Sequence, residues 1–278
     1  MTGVTDDTPP DDAAQGAADD DIEASKAPLI EHLVELRQRL IYVIIGLAVA
    51  FVACFWLSPY IFTFLVQPLA DVLADRTGSR MIFTGLHEAF MVKLRIAFFG
   101  ALFLAFPITA IQVWKFVAPG LYKHERRAFL PFLVATPVLF VAGAALVYYL
   151  IMPLAWEFLL TQGDDLSSQD LPVEEDPRVA EYLSLVMRLI LAFGVSFQLP
   201  VALTLLARVG LVTVGGLRRW RKYAVVITFA VAAIITPPDL ISQIALGIPI
   251  LLLYELSILA IVLVERRRAR QARSQAVS

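Results

Sequence analysis

Cysteine is nearly missing from these 278 residues: Cys54 is the only one, and it lies in an apolar run. A lone cysteine excludes an intrachain disulfide framework and a cysteine-based zinc site, leaving the plain role of a small packing residue. Histidine is almost as scarce. His32, His87 and His124 fall in loops or at interfaces, and no H-E-x-x-H pair is present. Hydrolysis within a membrane needs an activated nucleophile or a metal, and neither histidines nor paired aspartates stand inside the apolar runs to supply one. There is also no G-x-S-x-G, P-loop or G-x-G-x-x-G sequence, so ATP-driven and nicotinamide chemistry have no seat. No enzyme, cofactor or metal is expected. Charge is the last shortage: 17% of residues are charged against 59% hydrophobic, and the mean hydropathy of +0.73 lies outside the range of a soluble domain. The solvent is a lipid bilayer.

What is present is a series of apolar runs. A helix needs roughly 20 apolar residues to cross the hydrocarbon core, and Leu40–Leu57, Ala89–Val113, Phe129–Pro153, Tyr182–Ala207 and Leu240–Val264 are candidates. Tyr223–Ile235 is shorter, and the turn-like Thr236–Asp239 joins it to the last run as a hairpin. The expected fold is all-α, an integral membrane bundle of six helices. Prolines 107, 131, 137, 200 and 249 fall within or near the ends of runs, where each interior one removes a backbone hydrogen bond, so kinked helices and a concave body are expected. Residues 1–27 read as a disordered acidic tail with no secretory signal, 28–265 as the membrane domain and 266–278 as a basic tail.

Lys and Arg in short loops mark the cytoplasmic side. Arg37 and Arg39 precede the first run; Lys115, Lys123, Arg126 and Arg127 separate the second from the third; Arg208, Arg218, Arg219, Arg221 and Lys222 follow the fourth; and a basic tail closes the chain. The stretch from Leu154 to Glu181 is acidic instead, with Arg178 its only base. Both termini are therefore expected in the cytoplasm. Lys93 and Arg95 sit awkwardly at the outer start of the second run, where long stems can snorkel. Trp56, Trp114, Trp156 and Trp220 each fall beside a proposed run end, as indoles at headgroup level do.

On the basic face the carboxylates stand out: Glu31 and Glu35 before the first run, and Glu125 in LYKHERR. They can accept bidentate bonds from a guanidinium, or simply pair locally, since Glu35 and Arg39 are four apart and Glu125 adjoins Arg126. Spacing alone favours local pairing. Gln198 in FGVSFQLP and Glu255 in LLLYELS lie within runs, where polar groups are functional candidates or interhelical ties. Pro68 in the first outer loop and Asp239 in TPPD fit simple turns.

Four motifs in order, EHLVELRQRL (Glu31–Leu40), QVWKFVAPGLYKHERR (Gln112–Arg127), YLSLVMRLILAFGVSFQLPVAL (Tyr182–Leu203) and ITPPDLISQIALGIPILLLYE (Ile235–Glu255), make the chain resemble the TatC family of the twin-arginine translocase. The resemblance implies recognition of twin-arginine signal peptides of folded proteins and their export across a bacterial cytoplasmic membrane by the proton-motive force. Partners implied are single-span TatA and TatB near the last two spans, and further copies of the chain; no nucleic acid is expected. By matching position, Glu35 and Glu125 look like the acids that receive the arginine pair, which reverses the preference drawn from spacing. Phe116, Pro119, Leu121, Lys123, His124, Arg126 and Arg127 would shape the same signal-binding loop. Pro68 and Asp239 match outer-loop positions needed for transport, and Gln198 matches a partner-contacting position. There the family often carries Glu; an amide can bond a polar partner but cannot change charge. The competing reading is a transporter whose small solute or ion meets Glu255 and Gln198 at mid-depth. A membrane-embedded hydrolase is a formal third, without a nucleophile and base.

Overall fold

The computed structural model describes residues 12–73, 81–117, 126–157, 178–208, 210–236 and 240–277. The described residues are helical, with no β-strand and one isolated bridge, Ile82 to Arg178. In chain order the helices are α1 (Asp12–Leu73), α2 (Glu88–Val117), α3 (Arg126–Leu146, continued by a π-helical turn at Val147–Ile151), α4 (Val179–Ser196), α5 (Leu199–Arg208), α6 (Val214–Ile235) and α7 (Leu240–Val277). Five helical stretches are long and apolar enough to cross a bilayer: His32–Leu73, Glu88–Phe116, Pro131–Glu157, Val179–Arg208 and Gln243–Arg266. α6 falls short of that standard because its first turns hold Arg218, Arg219, Arg221 and Lys222.

One expectation changes at α1, whose helix starts at Asp12. It continues past Leu57 to Leu73, so Pro68 is a helical residue rather than part of an outer loop. The sequence reading placed a turn there because proline punctuates helices; the structure answers the missing N–H in another way. Phe64 O, which the amide of residue 68 would normally bond, accepts from Tyr148 Oη at 2.8 Å, and Leu65 O accepts from Tyr182 Oη at 2.8 Å. Tyr148 lies in the π-helical turn and stacks on Phe64, ring centroids 4.3 Å apart. The irregularity in α3 thus serves the irregularity in α1.

Helices in lipid gain little from burying apolar surface against one another, so close packing of small residues has to hold them. Along α2, Ala97, Ala101 and Ala105 recur at four-residue spacing and are fully buried. They face α1 near Ala50 and Cys54, and a side chain on Gly100 would meet Cys54 Sγ at 3.0 Å. Cys54 is a packing residue there. α3 and α4 cross at Gly143 and Gly194: a Cβ at Gly194 would stand 2.5 Å from the Phe140 ring, and one at Gly143 2.7 Å from Phe193 O. α6 and α7 approach likewise at Gly247, where a Cβ would lie 2.8 Å from Phe229.

The fourth run is broken. α4 ends at Ser196 and α5 starts at Leu199, with Gln198 in the break. Pro200 has no amide hydrogen for Ser196 O, and the chain tightens locally, Gln198 N donating to Val195 O at 2.9 Å before Ala202 N returns to Gln198 O at 2.8 Å. By contrast α2, α3 and α7 run on through Pro107, Pro131, Pro137 and Pro249. Trp56 and Trp220 are exposed, as interface indoles should be, whereas Trp156 is buried against Tyr182.

Candidate functional site

Between His32 and Arg39 α1 packs beside the end of α2, and the side chains that meet there are polar or aromatic. Arg39 donates to Glu35 Oε1 through both Nε, at 3.1 Å, and Nη2, and its Nη1 reaches Gln112 Oε1 at 3.5 Å. One turn earlier His32 lies 3.8 Å from Glu35 Oε2 through Nδ1 and stacks on Phe116, centroids 4.2 Å apart at 16°. Glu35 is therefore held from one side. Its Oε1 is committed to Arg39, while Oε2 meets only the imidazole among the described residues, and the side chain remains 33% exposed. A part-exposed carboxylate with one oxygen free of hydrogen bonds among those residues, between an aromatic ledge and an amide, suits a planar cation.

Phe116 is thus brought to Glu35. Arg126 and Arg127 open α3, just past the segment 118–125 that follows α2. Pro119, Leu121, Lys123, His124 and Glu125 belong to that segment and, like Asp239, lie outside the described residues. Pro68 is remote from this cluster, in the far end of α1.

Gln198 sits at the α4–α5 break, and its Nε2 donates to Thr136 O at 3.1 Å and Gly194 O at 3.3 Å. Its Oε1 is buried with no hydrogen-bond partner among the described residues. Thr136 extends the row, since its hydroxyl accepts from Trp114 Nε1 at 2.8 Å and donates to Phe132 O. Gln198 ties α3 to α4 by an amide's two donors. Replacing it with leucine is expected to cost about 1 kcal/mol in detergent unfolding titrations. Glutamate, whose carboxylate would set oxygens against both carbonyls, is expected to cost more than leucine does.

Glu255 is not buried alone in lipid. It accepts from Arg221 Nη2 at 2.6 Å, both side chains about half exposed, and next to it Tyr254 Oη donates to Leu217 O at 2.8 Å. Gln198 bonds within α3 and α4 whereas Glu255 bonds to α6, so the pair needed by the transporter reading shares no partner. Sequence reasoning passed over Arg188, a full charge inside the fourth run and a signal in its own right. It also passed over Tyr148 and Tyr182, whose carbonyl partners lie 84 and 117 residues away.

With this geometry in place, comparison with known proteins is direct. The family model described as Sec-independent protein translocase protein (TatC) matches residues 31–249. The Sec-independent protein translocase protein TatC of Magnetococcus marinus is 48% identical over 251 residues, covering 90% of this chain and 89% of that protein. That of Escherichia coli K12 is 40% identical over 231 residues, covering 83% and 86%. A crystal structure of the twin-arginine translocase receptor TatC superposes with a TM-score of 0.73 at 37% identity, covering 84% of this chain and 98% of the other. The apolar helices, their order and these matches together place the chain in the TatC family, as a multi-pass membrane subunit of the Tat protein translocase and not an enzyme.

Proposed function

We propose that this subunit receives twin-arginine signal peptides where the His32–Arg39 turns of α1 meet the end of α2, with Glu35 and Glu125 accepting the two guanidinium groups. The observation that carries the reading is the half-committed state of Glu35, bonded to Arg39 through one oxygen and open at the other. An incoming guanidinium has two routes: it uses Oε2 beside Arg39, or it displaces Arg39 toward Gln112, which already accepts from it. Phe116 and His32 form the ledge against which the leader lies; Pro119, Leu121, Lys123, His124, Arg126 and Arg127 shape the adjoining loop.

In this reading the peptide-binding face is cytoplasmic. Support comes from charge: Arg37, Arg39 and Lys115 mark the ends of α1 and α2 that meet there, and Arg218 to Lys222 open α6. Both termini then lie in the cytoplasm of a bacterial cell. α6 is the fifth span in chain order, short in apolar length and paired with α7 by the Arg221–Glu255 bridge and the Gly247 contact. TatA and TatB pack near α6 and α7, further copies complete the assembly, and the proton-motive force drives passage. Gln198, at the α4–α5 break, contributes to partner contact; Pro68 acts by shaping the α1 end, and Asp239 is needed for transport.

Binding of a labelled twin-arginine peptide to the purified full chain in mild detergent tests the proposal. Glu35→Ala is expected to weaken binding roughly 10- to 100-fold, the loss of a charge-assisted bond, and a lysine pair in the peptide is expected to weaken it as well. Unchanged affinity in the Glu35→Ala, Glu125→Ala double variant refutes it.

A further inference from the structure

Away from the peptide site, α1, α2 and α4 leave a cleft of about 550 Å³ between them. Its walls are apolar, with Phe51 from α1, Phe98 and Leu102 from α2 and Leu191 from α4, yet two arginines, Arg95 and Arg188, also line it. Both are exposed, and both belong to membrane-spanning helices.

The depth of the two arginines follows from helix geometry. The bridge between Ile82 and Arg178 sets the beginnings of α2 and α4 at the same membrane face. Arg95 stands about 10 Å along α2 from its start and Arg188 about 13 Å along α4, at 1.5 Å per residue. Arg188 turns back toward that face, its Nε donating to Ser184 O at 3.0 Å one turn nearer the helix start. Its two terminal nitrogens have no hydrogen bond or ion pair among the described residues. Arg95 forms no ion pair or hydrogen bond among the described residues.

Among the described residues the two carboxylates at these helix starts are engaged: Glu88 Oε2 accepts from the Thr84 and Gly85 amides and the Thr84 hydroxyl, and Glu181 pairs with Arg178. Lys93, the third cation at this depth, lies over the Phe55 ring at 4.6 Å. Unpaired guanidinium groups at this depth are costly, and the abundant anion within reach of an outward-turned arginine is a lipid phosphate. The geometry points to a binding site for an acidic glycerophospholipid: its phosphodiester bridges Arg95 and Arg188, and an acyl chain lies in the cleft along Phe98, Leu102 and Leu191. Charge complementarity selects a headgroup with no ammonium of its own, since a choline would bring a third cation to a site that already holds two.

The test uses the full chain, stripped of lipid in detergent and then offered phosphatidylglycerol or phosphatidylcholine, with retained lipid read by native mass spectrometry. Wild type is expected to retain phosphatidylglycerol in preference. Arg95→Gln and Arg188→Gln should each reduce that retention about fivefold, and Arg188→Lys should keep most of it. Helicity by circular dichroism confirms that the variants are folded; should Arg188→Gln fail to fold, Arg95→Gln alone decides. Equal retention of the two lipids by wild type, or undiminished phosphatidylglycerol in the folded glutamine variants, overturns the assignment. So does an acidic membrane segment of a co-purified protein, crosslinked to position 95 or 188 in place of lipid.

Discussion

Valine at position 194 will prevent α3 from docking against α4. The first atom of any side chain there would lie 2.5 Å from the Phe140 ring, closer than a real carbon contact allows. Phe140 cannot step aside, because it is buried and stacked on Phe106 with centroids 3.7 Å apart. Across the same crossing Gly143 faces the backbone oxygen of Phe193, which has no rotamer to change. Overpacking usually costs 1–3 kcal/mol; with both sides of the contact immobile, about 3 kcal/mol or more is expected. In practice this is loss of monodisperse protein after extraction, or an early midpoint in a detergent unfolding titration. Alanine at 194 is the milder case, and shortening Phe140 to alanine in that background should restore much of the loss. If the double variant is no more stable than Gly194→Ala alone, the clash is not the reason for glycine. Gln198 depends on this crossing, since its amide spans from α4 to Thr136 of α3.

The second large effect concerns the end of α1. Tyr148→Phe and Tyr182→Phe each remove one hydroxyl and leave Phe64 O or Leu65 O without the donor it now has. Phe64 O is then orphaned, at about 1–3 kcal/mol, while Leu65 O keeps its helical amide and loses one further hydrogen bond, about 1 kcal/mol, so the double variant is expected to lose about 2–4 kcal/mol. The Pro68→Ala background separates cause from coincidence. Alanine restores an amide hydrogen to position 68, and if Phe64 O accepts from Tyr148 because the proline donates nothing, Tyr148→Phe should cost less there than in wild type. Equal costs in both backgrounds would show that the hydroxyl and the proline are unrelated. Tyr182→Phe should be less sensitive to residue 68, because the helix has a different amide for Leu65 O.

Sequence-level reasoning finds what depends on local periodicity. Four of the apolar runs lie within helices of nearly the same extent, and the shortfall of α6 is visible from Arg218 to Lys222. The Glu35–Arg39 pair follows from four-residue spacing. What stays hidden is what tertiary contact decides. The length of α1 is misjudged because the first apolar run reads as ending at Leu57 and Pro68 as a turn, and the tyrosines that bond the carbonyls around it lie on α3 and α4. The stack of His32 on Phe116 joins residues 84 apart, and no spacing rule reaches that far. Glu255 looks stranded until α6 folds back and brings Arg221 to it. Arg188 shows a different limit: orientation follows from the charges between the runs, and a charge within a run carries no such signal.

The helical stretch of α1 from His32 to Leu73 is 42 residues long, which at 1.5 Å per residue is about 63 Å, roughly twice the hydrocarbon thickness. Lying wholly within the hydrocarbon would need a tilt of about 60°, beyond the 0–40° that spanning helices adopt. Part of the stretch therefore stands outside the oil, its first turns carrying Glu35, Arg37 and Arg39 and its last ones packed on protein. Leu57 and Tyr60 face outward, whereas Leu65 and Leu69 are sealed against the other helices. Past the oil the helix becomes an eave, its apolar underside resting on α3 and α4 and keeping water from the ends of the helices beneath.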